Sequence, residues 1–197
     1  MLAEFAIIED PLRPSVTTNL CAVCFRHEGY EGKGIGCCSY EPEFCLFDLV
    51  FLYLRYPELY QKIKQNSRII NGFNGVMAES STGVKQCPFV GPAGCLLPRE
   101  ALTPLCRLYL CREAALFAPA QFEQRFDAYF TSREYRLNQW LNARLPAAAE
   151  FNWVFIHRFV VAAAPAIHAK ISGVERTNPP AEQFSCEVDP KAFGIIP

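Results

Sequence analysis

The sequence has almost no net charge, with 19 Lys and Arg against 20 Asp and Glu. No overall field therefore draws it to nucleic acid or to an anionic membrane. It also lacks a clean apolar run long enough to span a bilayer. The stretch from Phe44 to Leu54 is too short, and Phe151 to Ala169 carries His157, Arg158 and His168 inside it. Both read as core helices, and neither nucleic acid nor membrane is expected as a partner. Glu4 and Glu9 interrupt the apolar opening, and no basic start or small-residue cleavage site accompanies it. A secretory signal is thus not expected, which points to the cytoplasm. Motifs of enzyme chemistry are missing too: there is no HExxH, Ser-His-Asp or Rossmann glycine pattern, and the glycine-rich stretch 28–36 has no Walker lysine-serine ending.

Cysteine, by contrast, is plentiful, with ten in 197 residues. A chain of 22.2 kDa can bury a core without disulfide staples. In a reducing compartment so many thiols point to metal ligation or redox chemistry. They fall in two groups. Cys21 and Cys24 are separated by two residues, and the vicinal pair Cys37 and Cys38 follows the glycine-rich stretch. Cys87, Cys95 and Cys106 form the second group. A two-residue gap lets two sulfurs reach one metal while intervening N–H groups donate to them, a pattern shared by zinc and iron–sulfur sites. The metal centre is therefore expected to use Cys21, Cys24, Cys37, Cys38, Cys87, Cys95 and Cys106, with zinc or an iron–sulfur cluster as cofactor. Seven thiols exceed the needs of one tetrahedral ion, so either two metals bind or some thiols support the others. Cys45, Cys111 and Cys186 are read as core or inert. Cys111 is excluded because it lies five positions beyond Cys106, about 140° around a continuous helix.

The expected fold is mainly α with a small β-hairpin, a cysteine-rich metal-binding half and packed C-terminal helices. Residues 1–117 would form the metal-binding domain, 118–176 a helical extension and 177–197 an extended tail. Phe5 to Ile8 is a short strand or edge segment, and Pro42 starts a helix running through residues 44–56. A second helix follows at 57–65, with a strand at 68–70. The hairpin turns at GPAG (91–94) and carries Cys87 and Cys95 on its flanks. Helices are then predicted over 104–117, 122–145 and 151–171, the last carrying Pro165. Cys106 would gain from the helix N-terminus as a thiolate. Asp48, alone in an apolar helix, is expected to cap or pair internally, with support of the cysteine site as the alternative. His157 and His168 share a face and are read as hydrogen-bonded side chains of a packed helix.

The order Cys21-x-x-Cys24, Cys37-Cys38, CPF at 87–89, GC at 94–95 and CR at 106–107 resembles the YkgJ-type cysteine-cluster proteins. These are described as zinc- or iron-chelating domains. Related cysteine patterns occur in FliB-type lysine-N-methylases, where an iron–sulfur cluster is implied. In the family the vicinal pair follows the second cysteine more closely. Here twelve residues intervene, read as an insertion, with His27 at the closer spacing as the alternative ligand. The resemblance spans residues 21–107 and implies a metal-binding protein acting in electron transfer, sensing or assembly with a protein partner. Two other classes stay open: an enzyme or enzyme subunit modifying a protein or small molecule, and a metal-trafficking or thiol-redox protein.

Overall fold

A computed structural model describes residues 1–26, 40–70, 74–80, 87–91, 94–122, 126–146, 150–173, 181–192 and 194–195. The mainly α expectation is corrected. The described residues are about 48% helix and 22% strand, with seven α-helices and three small antiparallel sheets, a mixed α/β architecture.

The largest correction is at the two ends. Strand β1 (Leu2–Ile8) is not an edge but the centre of a three-stranded sheet, flanked by β2 (Ser15–Thr18) and by Ala181–Glu187 near the other end of the chain. Ala3, Phe5 and Ile7 alternate inward along β1, the two-residue period of a half-buried strand. They pack with Val16, Leu20, Leu110, Phe122 and Val188 in a core of their own. Phe5 meets Phe122 edge-on at 6.2 Å between ring centroids.

A second core surrounds α1 (Leu46–Arg55). Pro42 does not start this helix. Residues Glu43–Cys45 instead form β3, which pairs with β5 (Gly75–Ala78), and β5 pairs in turn with β4 (Ser67–Ile70). The helix begins at Leu46, where Asp48 accepts the Cys45 N–H at 3.1 Å and Asn138 accepts that of Phe47 at 3.2 Å. Seven successive residues, Leu46 to Leu52, are buried, so the helix is covered on every face. The α2 helix (Pro57–Gln65) lies where the sequence predicts it. Another long helix, Trp153–Ser172, sets Ile156, Val160, Ala164, Ile167 and Ile171 against the same core. By length and composition alone that segment is apolar enough to cross a bilayer, yet in this fold its inner row at helical spacing packs on α1.

The helix predicted over 104–117 is broken. It comprises α3 (Pro104–Leu108) and α4 (Arg112–Ala115), with Tyr109 in extended backbone between them. The helix predicted over 122–145 is likewise α5 (Phe126–Thr131) and α6 (Arg133–Asn142). Ser132 stops one and caps the other, its hydroxyl accepting the Tyr135 N–H at 3.1 Å. The segment after β1 docks on this start: the Arg133 and Glu134 N–H groups donate to the carbonyls of Pro11 and Leu12. That contact delivers Arg13 into the interior. The Trp153–Ser172 helix, α7, completes the set, and the strand at 181–187 is β8, after the two-residue strands β6 (Val90–Gly91) and β7 (Gly94–Cys95).

Candidate metal centre

Short elements after each strand bring the two cysteine groups together. Beyond β2, Thr18 caps a 3-10 turn (Asn19–Ala22), its hydroxyl accepting the Leu20 N–H at 3.2 Å, and a second such turn covers Cys24–Arg26. Each turn places one cysteine, Cys21 from the first and Cys24 from the second, on the wall of the same cavity. The β6–β7 hairpin pairs Val90 with Cys95 and Gly91 with Gly94. Gly94 adopts φ +105°, and a Cβ there would sit 3.3 Å from the Cys21 carbonyl oxygen. Only glycine meets both demands without strain, so Gly94 lets the hairpin lie against the first cysteine group.

The result is a cavity of about 180 Å³ lined by Cys21, Cys24, Cys87, Cys95, Cys106 and Cys111. Leu20, Leu97, Leu102 and Leu110 supply apolar wall between them. Cys21 and Cys95 are exposed, Cys87 is buried, and the other three are half-buried. Five of the seven expected ligands thus share one cavity. Cys37 and Cys38, with His27, lie outside the described residues.

Cys111 is the residue the sequence reading passed over. The 140° objection assumes a continuous helix, and the break at Tyr109 removes that premise. The helix-terminus advantage assigned to Cys106 also shrinks, because α3 has only five residues. Hydrogen bonds to sulfur take its place: the Thr103 hydroxyl donates to Cys106 Sγ at 3.4 Å, and the Leu97 N–H donates to Cys95 Sγ at 3.4 Å. The Arg99 guanidinium adds positive charge near Cys21. Its own acidity is raised chiefly by burial, which Cys21 opposes and Arg107 reinforces. Donors and a nearby cation both favour thiolate over thiol.

The six cysteines line one cavity without converging on one point. Among the described residues no three His, Cys, Asp or Glu side chains are close enough to hold one ion. Sulfurs bound to a single tetrahedral zinc must lie about 3.8 Å apart, given a Zn–S distance of about 2.3 Å. Among the described residues the thiols are not gathered in that way. A polynuclear cluster spreads its thiolate ligands over several iron atoms, so it asks for sulfurs around a body.

The remaining candidates lie elsewhere. Asp48 does not line the cavity. It accepts from Arg13 Nη2 at 2.6 Å and from Cys45 Sγ at 3.2 Å, which is the internal pairing expected of it. Arg13 also reaches Glu134 at 3.1 Å, and Glu134 takes a hydrogen bond from Arg107. All four charged side chains are buried. Burial pushes the Asp48 carboxyl up to about 6 despite the opposing pull of Arg13, and burial together with Asp48 pushes the Cys45 thiol well up. His157 hydrogen-bonds the Tyr60 hydroxyl at 3.0 Å, and His168 sits beside the Ser172 hydroxyl one turn on. Cys186 donates to the Phe117 carbonyl at 3.3 Å and packs on the N-terminal core.

No family model, curated protein or solved structure matches the chain. Assignment of the cavity rests on its own geometry and on the spacing of its cysteines.

Proposed function

We propose that the chain is an iron–sulfur protein whose cluster is held in the cavity between the 3-10 turns, the hairpin and α3. The observation that carries this reading is the gathering of six cysteines, from four separate segments, around one small space. Cys21, Cys24, Cys87, Cys95, Cys106 and Cys111 are the candidate ligands, and Cys37 and Cys38 join them by sequence. A bound cluster would supply one-electron chemistry or redox sensing. The chain's part is to exclude bulk water with the leucine wall and to stabilise thiolate charge through Thr103, the Leu97 N–H and Arg99. Such a site belongs in a reducing compartment. This reading accords with the YkgJ-type resemblance.

The test is iron, acid-labile sulfide and zinc analysis, with an absorption spectrum, on full-length protein purified without oxygen. Iron with stoichiometric sulfide and a broad band near roughly 400 nm, where thiolate-ligated clusters absorb, is the expected result. Colourless protein with one zinc per chain overturns the cluster, and metal-free protein overturns metal binding altogether. The exposure of Cys21 and Cys95 favours a second reading, delivery of metal to an acceptor. Rapid transfer from the loaded chain to an apo-acceptor would distinguish delivery from a resident cofactor.

A further inference from the structure

We infer that a second cavity, which shares Arg99 with the cysteine cavity, binds a small organic acid with an oxyanion head and an apolar body. Its volume is about 500 Å³, in the range of small-molecule sites, about 300–1,000 Å³. Four guanidinium groups line it: Arg13, Arg55, Arg99 and Arg107. Ile8, Leu12, Phe51 and Ile171 form the apolar part of the wall. Arginine presents planar, forked donors that match a carboxylate or phosphate in pairs, and the aliphatic and aromatic wall suits a hydrocarbon body.

The acids around the cavity are already engaged. Asp48 and Glu134 hold Arg13 and Arg107 in place. Asp10 and Glu100 line the wall, but Asp10 accepts the Leu12 and Arg13 N–H groups at 2.7 and 2.9 Å, and Glu100 accepts the Tyr56 hydroxyl at 3.3 Å. Donors, in contrast, are left over. Arg13 is 8% exposed, yet among the described residues its Nε has no hydrogen-bond partner. A buried N–H without an acceptor costs free energy that a ligand oxygen would recover. Arg55, exposed on the last turn of α1, is in no ion pair among the described residues. Surplus donors beside an apolar wall define the complement: an oxyanion attached to hydrocarbon.

This inference needs no metal, so it stands or falls separately from the cluster. The test is calorimetric titration of the full-length protein with octanoate, octyl phosphate and the neutral octanamide, against Arg55→Ala and Ser172→Trp. Arg55 and Ser172 are exposed, so both variants keep the fold, checked by circular dichroism, and both keep the metal content of the parent. One or both anions are expected to bind saturably, with octanamide weaker by about tenfold or more. The tighter anion names the head group as carboxylate or phosphate. Arg55→Ala is expected to weaken the anion by about tenfold and leave octanamide unchanged, while Ser172→Trp fills the cavity and abolishes binding. No saturable binding of either anion overturns the proposal, as does equal binding of octanamide or undiminished binding by Arg55→Ala.

Discussion

Cys106 and Arg107 are consecutive on the short α3 helix, yet they serve opposite environments. Arg107 is 2% exposed and enters a dry quartet with Arg13, Asp48 and Glu134, where each charge faces its opposite. Cys106 lines the cavity shared by six cysteines. The contrast separates two uses of polar atoms in one core. In the quartet each carboxylate is held by a guanidinium, and breaking that pairing is costly. In the cavity, six cysteines line one space and no three of the described ligand side chains converge on a point. Arg13 adds a third layer, lying over the Phe51 ring at 4.5 Å while its Nε is left over.

The sharpest way to break the comparison is to remove one member from each side. Glu134→Ala leaves Arg13 and Arg107 buried with only Asp48 between them. It is expected to cost about 3–5 kcal/mol in urea unfolding, the usual loss when one partner of a buried ion pair is deleted. Cys106→Ala should cost the metal-free chain about 1 kcal/mol or less, yet should strip most of the bound iron measured after gel filtration. Equal loss of stability in the two variants would show that the cavity is structural in the same sense as the quartet.

Gly94→Ala tests how the hairpin is seated. A non-glycine residue at that backbone angle costs about 1–3 kcal/mol, and its Cβ crowds the Cys21 carbonyl. Iron content should fall with stability, whereas an alanine that preserved both would show that the hairpin need not approach so closely.

The pH dependence sharpens the quartet side. Because burial raises the Asp48 carboxyl to about 6 from 3.8, the folded state holds a proton that the unfolded state has released between those values. Its contribution to stability is full below about pH 4 and is lost as pH rises through 6. Urea titrations at pH 4, 5, 6 and 7 should show the wild-type advantage over Asp48→Asn shrinking as pH rises. A growing advantage would mean that attraction to Arg13 outweighs desolvation. The smallest effect is at Cys45, buried at 3% exposure with its thiol pushed well above the usual range. Brief iodoacetamide treatment of native metal-free protein at pH 8 should label Cys21 and Cys95 and spare Cys45. Labelling of Cys45 at their rate would show that its site opens readily.

Much of this arrangement was legible from spacing. The approach of Cys21 and Cys24 to one cavity, the hairpin turn that carries Cys95 and the burial of Asp48 follow from local rules, as do α2 and α7. The hairpin ladder, however, is only two residues long and leaves Cys87 outside it. What escaped was long-range or depended on a single break. The β8 segment AEQFSCE reads as a polar tail, because only pairing with β1 gives Phe184 and Cys186 a side to pack. Ser132 within a helical repeat and Tyr109 after Leu108 carry little signal, yet each ends a helix. The second break is what puts Cys111 on the cavity wall. Arg13 and Arg107 resemble surface charges in sequence, since nothing local shows that Asp48 and Glu134 await them.

The sheet that joins the two ends of the chain also sets a clock. Met1 and Val188 are hydrogen-bonded through both backbone partners across 187 positions. On the ribosome, β1 and β2 emerge long before β8, and until residues 181–187 are made β1 offers an unpaired edge beside Phe5 and Ile7. Val16 and Thr18 of β2 line the cysteine cavity, so that cavity is backed by the same sheet that β8 completes. A chain cut short before residue 181 would therefore carry the cysteines of the cavity beside an incomplete sheet.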